Sequence, residues 1–371
     1  MSDSPQSNGQ LRRIVIVGLG SIGRRHARLL RQRPDLRIEV CEPSGAARDR
    51  AAREIDGLTV HADLKRALAT RPEMLLIATP HSLHADQVIS GLQSGADVLC
   101  EKPLCMAADE AVRIVTCARD TGRTLAVGFQ LHFQPCMLRA REIIRSGAIG
   151  TVVHAHARVG SYITLRNSLS RYQEAIEGSL LLDYSHQPDL LFWLLNELPC
   201  GVALTGLRGG DLPLSSDPNV LALTLDYHRP LLATVHLNYV QMPQRHEWEI
   251  VGDKGWFVIN PDQGTLRLGL RETEAETLER FPTDPDLAYI AEHQAFLDSI
   301  DGLRLPESPA DAAARSVELF AMAMRSWKQG RRVACEWADF SESKGTVNGA
   351  SVHTPAMPFD GVGRSRNGSV R

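Results

Sequence analysis

The 371-residue sequence has no apolar run as long as a membrane span, so we expect no membrane-spanning segment. Its formal net charge is only −3, and it therefore lacks the charge excess that would indicate a nucleic-acid or anionic-membrane partner. Residues 1–10 are polar and lack the apolar core of a signal peptide. These absences together predict a cytoplasmic protein with neither a membrane nor a nucleic-acid partner.

The sequence also lacks paired cysteines. Its seven cysteines are an odd number, are scattered along the chain and form no Cys-x-x-Cys pair. Several stand within apolar segments, as small buried hydrophobic residues do, which favours a reducing compartment. His154 and His156 alternate along a predicted strand, but no third ligand accompanies them. We therefore expect no metal site, and there is no internal repeat.

The most informative feature that is present is a glycine-rich turn after an apolar strand. Residues 14–17 read Ile-Val-Ile-Val, and Gly18, Gly20 and Gly23 follow with the spacing Gly-x-Gly-x-x-Gly. Gly18 would permit a tight turn, Gly20 a close approach to a pyrophosphate, and Gly23 close packing of helix on strand. A helix starting near Ser21 would offer free N–H groups to phosphates. The pattern predicts a dinucleotide site.

A second apolar strand, at residues 36–41, ends at Glu42, about twenty residues after the glycines. A carboxylate in this place bonds the adenosine ribose hydroxyls and would repel a 2′-phosphate. Glu42 therefore favours NAD as the cofactor. Arg48 could tolerate a 2′-phosphate, so NADP stays an alternative.

Strands and helices alternate up to about residue 127, which predicts a doubly wound parallel sheet. After Gly128 the pattern changes to stretches of alternating polarity, which are typical of a largely antiparallel sheet with one covered face. One helix over 179–195 interrupts these stretches. Further helices are predicted over 287–300 and 309–329. The expected fold class is α/β, with two domains.

Three strand ends should meet at one crevice, because ligands bind outside the carboxyl ends of parallel strands. They are the glycine turn at 18–20, Thr79-Pro80-His81 and Glu101-Lys102-Pro103. A lysine at such a crevice can exchange a proton with a substrate oxygen during hydride transfer. Lys102 is therefore a candidate catalytic residue. The alternative is a surface lysine at a strand end.

At this point the sequence resembles the Gfo/Idh/MocA oxidoreductases, a family named for glucose–fructose oxidoreductase and inositol dehydrogenase. The resemblance covers about residues 12 to 335. Within the family it resembles a subgroup in which acyl-neuraminate and legionaminate pathway proteins are prominent. The matching motifs are the glycine turn at 18–23, Thr79-Pro80 with His84, Glu101-Lys102-Pro103, Gly128-Phe129-Gln130 with Phe133 and Pro135, Leu182 to Asp189 followed by Phe192-Trp193-Leu194, and Ile250 to Gly255.

The resemblance implies a Rossmann domain with a doubly wound parallel sheet, followed by a C-terminal α/β domain with a large, mostly antiparallel open sheet. It implies NAD(H) or NADP(H) as cofactor, a carbohydrate substrate and a homo-oligomer, either a dimer or a tetramer. Residues 1–10 would be disordered, 11–127 the NAD-binding domain, 128–339 the substrate-binding and oligomerisation domain, and 340–371 a disordered tail. The cofactor contacts would be Gly18, Gly20, Ser21, Ile22, Gly23, Glu42, Thr79, Pro80, His84, Glu101, Lys102 and Gln130.

By the same resemblance, Lys102 is the catalytic lysine and His186 the histidine of the second-domain helix, and both would touch substrate. Asp189, one helical turn beyond His186, would bind substrate in the same crevice. Many members have an aspartate four residues before the histidine, where this chain has Leu182. Asp183 stands three residues before it, on the same side of a helix, and is assigned to orient or polarise His186. Helix capping is the alternative role.

A loop-like insertion before this helix contains Arg158, Tyr162, Arg166 and Tyr172, which would be placed to line the substrate mouth, and of these Tyr162 is the candidate substrate contact. A solvated loop is the alternative. His132 stands where arginine is common in the family, which disfavours a sugar-phosphate or nucleotide-sugar substrate.

The predicted function is hydride transfer between nicotinamide and a hydroxyl or keto carbon of a sugar, cyclitol or sugar derivative. Lys102 and His186 would move the hydroxyl proton, while Asp183 and Asp189 place the substrate. Two alternatives stay open. One is an NAD-dependent glycosidase that oxidises its substrate transiently before elimination. The other is an NAD-binding sensor without turnover.

Overall fold

The computed structural model describes residues 11–54, 57, 59–167, 172–212 and 214–340, so the ends predicted to be disordered lie outside it, apart from Phe340. The first part of the chain alternates strands with helices, as the sequence predicts. Its elements are β1 (Arg12–Val17), α1 (Ser21–Leu30), β2 (Leu36–Cys41), α2 (Gly45–Glu54), β3 (Thr59–His61), α3 (Leu64–Ala69), β4 (Met74–Ile77), α4 (His84–Gln93), β5 (Asp97–Glu101), α5 (Ala108–Thr121) and β6 (Leu125–Gly128).

The first six strands form a parallel sheet in the order β3-β2-β1-β4-β5-β6. Every residue of β4, and residues 14–17 of β1, are buried, because helices cover both faces of the sheet. The strand order reverses between β1 and β4, and ligands bind beyond the carboxyl ends of the strands at such a reversal. The predicted Rossmann sheet is confirmed.

The second part of the chain contains more irregular elements than the first. They are α6 (Pro135–Arg145), β7 (Val152–Gly160), α7 (Tyr162–Asn167), α8 (Tyr172–Ala175), α9 (Ser179–Asp183), α10 (His186–Leu195), β8 (Gly201–Leu207), β9 (Val220–Asp226), β10 (Leu232–Asn238), β11 (Arg245–Gly252), β12 (Gly255–Asn260), β13 (Thr265–Leu270), β14 (Ala275–Arg280), α11 (Pro285–Ile300), α12 (Ala310–Gln329) and β15 (Val333–Ala334).

These strands form a nine-stranded sheet in the order β14-β13-β12-β11-β7-β10-β9-β8-β15. All of its neighbouring strands run antiparallel except β7 and β10, which are parallel. One face is covered, and Trp248 and Phe257 on it are completely buried. On the other face His156 is half-buried and bonds through Nδ1 to Thr234 Oγ1 at 2.8 Å. The mostly antiparallel second sheet is confirmed.

The helix predicted over residues 179–195 is two helices, α9 and α10. The break lies at Tyr184 and Ser185, where Tyr184 has φ −103° and ψ 32°. Pro188 explains it, because a proline ring clashes with the carbonyl four residues earlier in a continuous helix, here that of Tyr184. The prediction of one helix was wrong, and Asp183 and His186 stand on either side of the break.

Three further differences concern the second part of the chain. The segment predicted to be loop-like contains two short helices, α7 and α8. Strands β13, β14 and β15 were not predicted. The late helices return to the first sheet, since α11 packs on α1 and α12 contacts both α5 and β8.

In the described part of the chain, no helix is both long and apolar enough to cross a bilayer.

Candidate active site

The glycine turn has the geometry that each glycine predicted. Gly18 has φ +95°, and a Cβ there would lie 2.7 Å from the Ala78 carbonyl oxygen. A Cβ on Gly23 would lie 1.9 Å from the Gly18 carbonyl oxygen, so helix and turn pack too closely for a side chain. A Cβ on Gly20, by contrast, would meet no atom of the described residues within 4 Å. The space beside Gly20 is therefore open to a ligand.

The first turn of α1 adjoins this open space, and its first amides make no hydrogen bond within the helix. The helix begins at Ser21, and its first hydrogen bond runs from Arg24 N to Gly20 O at 3.0 Å. The amides of Ser21, Ile22 and Gly23 precede that bond and have no partner within the helix. Together with the positive end of the helix dipole, they fit a pyrophosphate.

Glu42 lies beside the glycine turn, at the end of β2. Its carboxylate accepts hydrogen bonds from Leu19 N at 2.9 Å and from Ser44 N at 2.8 Å. The Arg48 guanidinium donates to the carbonyls of Glu42 and Pro43, both at 2.8 Å. Glu42 is thus fixed beside the glycine turn, while Arg48 is engaged by main-chain oxygens.

His84 joins two strand ends instead of facing the crevice. Its ring is fully buried, and its nitrogens lie 2.8 Å from the Pro103 carbonyl and 3.0 Å from the Thr79 carbonyl. Burial lowers the pKa of His84, and the contacts with the two carbonyls oppose that shift. Both nitrogens are occupied by main-chain oxygens, which leaves His84 to position the turns after β4 and β5. The predicted cofactor contact by its ring is not what this geometry provides.

Lys102 connects the first sheet to the second part of the chain. Its Nζ donates a 2.8 Å hydrogen bond to the main-chain carbonyl of Asp183 at the end of α9. The neighbouring Glu101 turns inward, where its carboxylate accepts from His26 Nε2 at 2.8 Å and from the Lys102 amide at 3.2 Å. The Lys102 ammonium is therefore at the crevice, while the Glu101 carboxylate, predicted to contact cofactor, is bonded within the protein.

The Asp183 carboxylate accepts three hydrogen bonds. The donors are the hydroxyls of Tyr172 and Tyr239 and the Gln173 amide, the last at 3.1 Å. Burial raises the pKa of Asp183 to about 6, and the charge of Lys102 and the Tyr239 bond oppose that rise. Its carbonyl, as described above, holds Lys102. Asp183 therefore organises the site through both its main chain and its side chain.

His186 begins α10 and is buried, with its ring edge-on to Phe129 at a centroid distance of 5.5 Å. Its Nδ1 atom is buried without a hydrogen-bond partner among the described residues. Burial, and after it the charge of Lys102, lowers the pKa of His186 well below its usual value. A neutral imidazole beside an ammonium can accept a proton or a hydrogen bond from a substrate hydroxyl.

The Asp189 carboxylate is hydrogen-bonded to a second histidine, His132. The carboxylate lies 2.5 Å from His132 Nε2, and His132 Nδ1 lies 3.0 Å from Ser308 Oγ. All three side chains are buried. The His132 ring also stacks on Trp193 at 4.6 Å. This arrangement ties the first turn of α10 to the turn after β6, so Asp189 supports the position of His186 rather than presenting an open carboxylate to substrate.

The remaining predicted residues are distributed unevenly around the crevice. Gln130 begins the short 3-10 turn after β6, at the same sheet edge as Lys102. Tyr162 begins α7, and its amide donates to Gln241 O at 2.9 Å. Arg158 pairs with Glu247 on the second sheet at 2.7 Å. Tyr172, another of the four residues considered for the substrate mouth, donates a hydrogen bond from its hydroxyl to the Asp183 carboxylate.

Three site residues were missed or undervalued by the sequence interpretation. His81, after β4, lies 4.8 Å from the Tyr172 ring, and burial followed by the Lys102 charge lowers its pKa to about 3. Its place directly after Thr79-Pro80 was the available signal. Gln173 and Tyr239 reach Asp183 only through the tertiary fold, and no spacing in the sequence indicated them.

Two family models match the chain. Residues 12–129 match an oxidoreductase family model with an NAD-binding Rossmann fold, and residues 137–258 match the GFO/IDH/MocA C-terminal domain. Among characterised proteins, a 2,7-anhydro-N-acetylneuraminate hydratase of Escherichia coli (strain K12) is 25% identical over 278 residues, which cover 71% of this chain and 74% of that protein. An inositol 2-dehydrogenase/D-chiro-inositol 3-dehydrogenase of Shouchella clausii is 28% identical over 314 residues, covering 79% and 84%.

Solved structures share the fold. An oxidoreductase domain protein from Kribbella flavida superposes with a TM-score of 0.79 at 20% identity, covering 88% of this chain and 99% of that one. The scyllo-inositol dehydrogenase from Lactobacillus casei, solved with NAD(H) and scyllo-inositol, gives a TM-score of 0.76 at 20% identity with the same coverage. Since the family models together match more than half of its length, the chain belongs to the GFO/IDH/MocA family of NAD-binding oxidoreductases.

Proposed function

We propose that this protein transfers a hydride between NAD and the hydroxyl or keto carbon of a sugar, cyclitol or sugar derivative. The observation that carries the proposal is the meeting of Lys102, Asp183 and a neutral His186 at the carboxyl edge of the Rossmann sheet. These groups come from two parts of the chain and adjoin a glycine turn with open space beside Gly20. Proton-transfer groups next to a dinucleotide site suit the oxidation of a carbinol.

The residues that would hold NAD are those of the glycine turn and Glu42. The amides of Ser21 and Ile22 would bind the pyrophosphate, and the Glu42 carboxylate the adenosine ribose. Bound NAD would supply the hydride acceptor at its nicotinamide ring. Because Glu42 is fixed by Leu19 and Ser44, its charge stands ready against a 2′-phosphate, and we propose NAD over NADP.

Lys102 and His186 would divide the proton chemistry. The Lys102 ammonium, held by the Asp183 carbonyl, would bond the reacting oxygen and stabilise negative charge on it. His186 would accept the hydroxyl proton, since burial favours its unprotonated form and its Nδ1 has no partner among the described residues. Asp183 would orient Lys102 and substrate hydroxyls, and Asp189 would hold the His186 helix through His132.

The experiment is a substrate screen that follows NADH absorbance with cyclitols, aldoses and amino sugars, using Lys102→Ala as the control. The proposal expects NADH formation with at least one member and none with the variant. If every substrate in the screen leaves NAD unreduced and is itself unchanged, while the protein binds NAD, the sensor interpretation replaces this proposal.

A second candidate follows from the Escherichia coli relative, which is named as a hydratase. A reaction that oxidises the substrate transiently and then eliminates a group would consume substrate without net NADH. Chromatography of the same reactions separates the two: substrate loss without NADH accumulation indicates elimination, including the glycosidase version of it. Both chemistries would use Lys102 and His186.

We further propose a homo-oligomer, a dimer or a tetramer, formed through the open face of the nine-stranded sheet. Val258 and Trp256 on this face are only half-buried, which leaves apolar surface for a second copy. Light scattering would show a monomer if this is wrong.

All seven cysteines are free thiols, which supports the proposed cytoplasmic location.

A further inference from the structure

Four titratable side chains are buried together outside the crevice, and the proposed chemistry does not use them. They are His26 on α1, Glu101 at the end of β5, and Glu292 and His293 on α11, each less than a tenth exposed. Such buried polar groups cost free energy unless they are bonded, so their arrangement calls for a purpose.

Three of these four groups form one continuous chain of hydrogen bonds. His26 Nε2 lies 2.8 Å from Glu101 Oε1, and His26 Nδ1 lies 2.7 Å from His293 Nε2. The other oxygen of Glu101 accepts the amide of Lys102 at 3.2 Å. The Glu101 carboxylate oxygen is the acceptor of this bond, so His26 Nε2 is its donor. The chain thus ends at the backbone of the catalytic lysine.

Gly128 closes the other side of Glu101. A Cβ at Gly128 would lie 3.2 Å from the Glu101 carboxyl carbon, so the end of β6 leaves the carboxylate little room to move. The Glu101 side chain is therefore confined between β6 and His26.

The two helices that hold the histidines are clamped to each other. Asp286, in the first turn of α11, binds Arg25 at 2.7 Å and Arg28 at 2.5 Å, both on α1. Arg33 beyond α1 donates to Gln294 on α11 at 2.6 Å. Since the first turn of α1 is the predicted pyrophosphate site, this clamp fixes the phosphate-binding helix to the same structure that holds Glu101.

The carboxyl group of Glu292 is close enough to that of Glu101 to interact with it, but the two differ in their hydrogen bonding. Neither oxygen of Glu292 has a hydrogen-bond partner among the described residues. Burial, and then the charge of Glu101, raises the pKa of Glu292 well above its usual value. Burial therefore favours the neutral form of Glu292.

We propose that His26 is a positioning residue for Lys102: it acts through the Glu101 carboxylate and locks the lysine turn to the helix that binds the cofactor phosphates. The proposal rests on the proposed catalytic role of Lys102. The physical reason is that the Glu101 carboxylate accepts the Lys102 amide at the end of β5. A shift of the Glu101 side chain therefore moves the backbone of Lys102. Displacing a catalytic group by about 1 Å can cost a factor of about 100 in rate.

The test compares three variants. His26→Leu removes both hydrogen bonds, His26→Gln keeps an Nε2 donor for Glu101, and Glu292→Gln replaces one neutral side chain by another of the same shape. We expect kcat to fall by about 10- to 100-fold in His26→Leu with little change in substrate KM, to recover largely in His26→Gln, and to stay unchanged in Glu292→Gln.

A second measurement does not depend on turnover. The chain has five lysines, at positions 65, 102, 254, 328 and 344, so its lysines can be methylated with ¹³C-formaldehyde and resolved by NMR. Loss of one signal in Lys102→Arg assigns Lys102. That signal should move in His26→Leu and not in Glu292→Gln. Should His26→Leu fail to fold, Glu101→Gln, which is isosteric, should move the same signal.

The outcomes separate the two proposals. A Lys102 signal that moves in a protein with no activity on any substrate supports the positioning role and contradicts the proposed function. An unmoved signal in a folded His26→Leu or Glu101→Gln variant overturns the positioning role whatever the activity. Equal loss of kcat in His26→Leu and His26→Gln would also overturn it, because the retained donor would then have no effect.

Discussion

The ammonium of Lys102 donates to the main-chain carbonyl of Asp183 across 2.8 Å, and this bond joins residues 81 positions apart. One partner follows β5 of the Rossmann sheet, and the other ends a short helix of the second part of the chain. The carbonyl uses one of the three ammonium hydrogens, which leaves the others for a substrate oxygen. The lysine is thus aimed by the backbone rather than by an ion pair.

Replacing Lys102 by alanine should abolish turnover while leaving NAD binding intact. Proton transfer and charge stabilisation by one such group contribute about 10²- to 10⁴-fold, so kcat should fall by that range. The measurements are steady-state kinetics and NAD titration by fluorescence. The control is Lys254→Ala, an exposed lysine on the turn after β11. Full activity in Lys102→Ala would contradict the assigned role.

Two glycine variants should behave in opposite ways. Gly20→Ala should fold normally, because its φ of −62° suits alanine and its Cβ meets no neighbour, but it should weaken NAD binding at least tenfold by filling the pyrophosphate space. Gly23→Ala should lose about 3 kcal/mol or fail to fold, because its Cβ would lie 1.9 Å from Gly18 O. Thermal melts and NAD titrations of both would decide. Tight NAD binding by Gly20→Ala would place the cofactor elsewhere.

Glu42→Ala should weaken NAD binding and reduce the preference of the protein for NAD over NADP. The carboxylate is bonded to Leu19 and Ser44, and its loss frees both amides as well as removing the ribose contact. A charge-assisted hydrogen bond contributes about 1.5–3 kcal/mol, so the Kd for NAD should rise by about tenfold or more. Parallel titrations with both dinucleotides measure this. Glu39→Ala, earlier on the same strand, serves as the matched control. An unchanged ratio of the two Kd values would refute the assignment.

Asp183→Asn should stabilise the fold while it impairs activity. The pKa of Asp183 is about 6 in the folded protein and 3.8 in the reference state, so folding disfavours its ionised form. This group therefore costs stability increasingly as the pH rises from about 4 to about 6, by up to about 3 kcal/mol above that range. Melting temperatures at pH 7.5 and pH 4 should differ more for the wild type than for the variant.

Titration of Asp183 should also determine how kcat/KM falls on the acid side of its pH profile. If the Asp183 carboxylate is the working form, kcat/KM should fall as the pH drops below about 6, and Asp183→Asn should lack that limb. An identical pH profile in the two proteins would show that Asp183 does not titrate in the reaction.

Local pattern predicted most of the fold. The apolar strands β1 and β4, the glycine spacing and the Asp63 cap of α3 are short-range signals, and the structure reproduces them. Strand β14 was not predicted because it is almost wholly exposed and lacks an apolar face. The broken helix escaped because Pro188 lies in the first turn of α10, where proline is compatible with a helix starting there as well as with a kink.

The sequence by itself determined the parts of the site that are local: the glycine turn, the carboxylate at the end of β2 and the lysine at the end of β5. Only the tertiary structure decided which charges those side chains carry and which way they face. Burial raises the pKa of Asp183 and Glu292 and lowers that of His186, and burial depends on residues far away in the chain. Asp189 shows the same limit, since its spacing from His186 indicated substrate whereas His132, 57 residues away, takes its carboxylate.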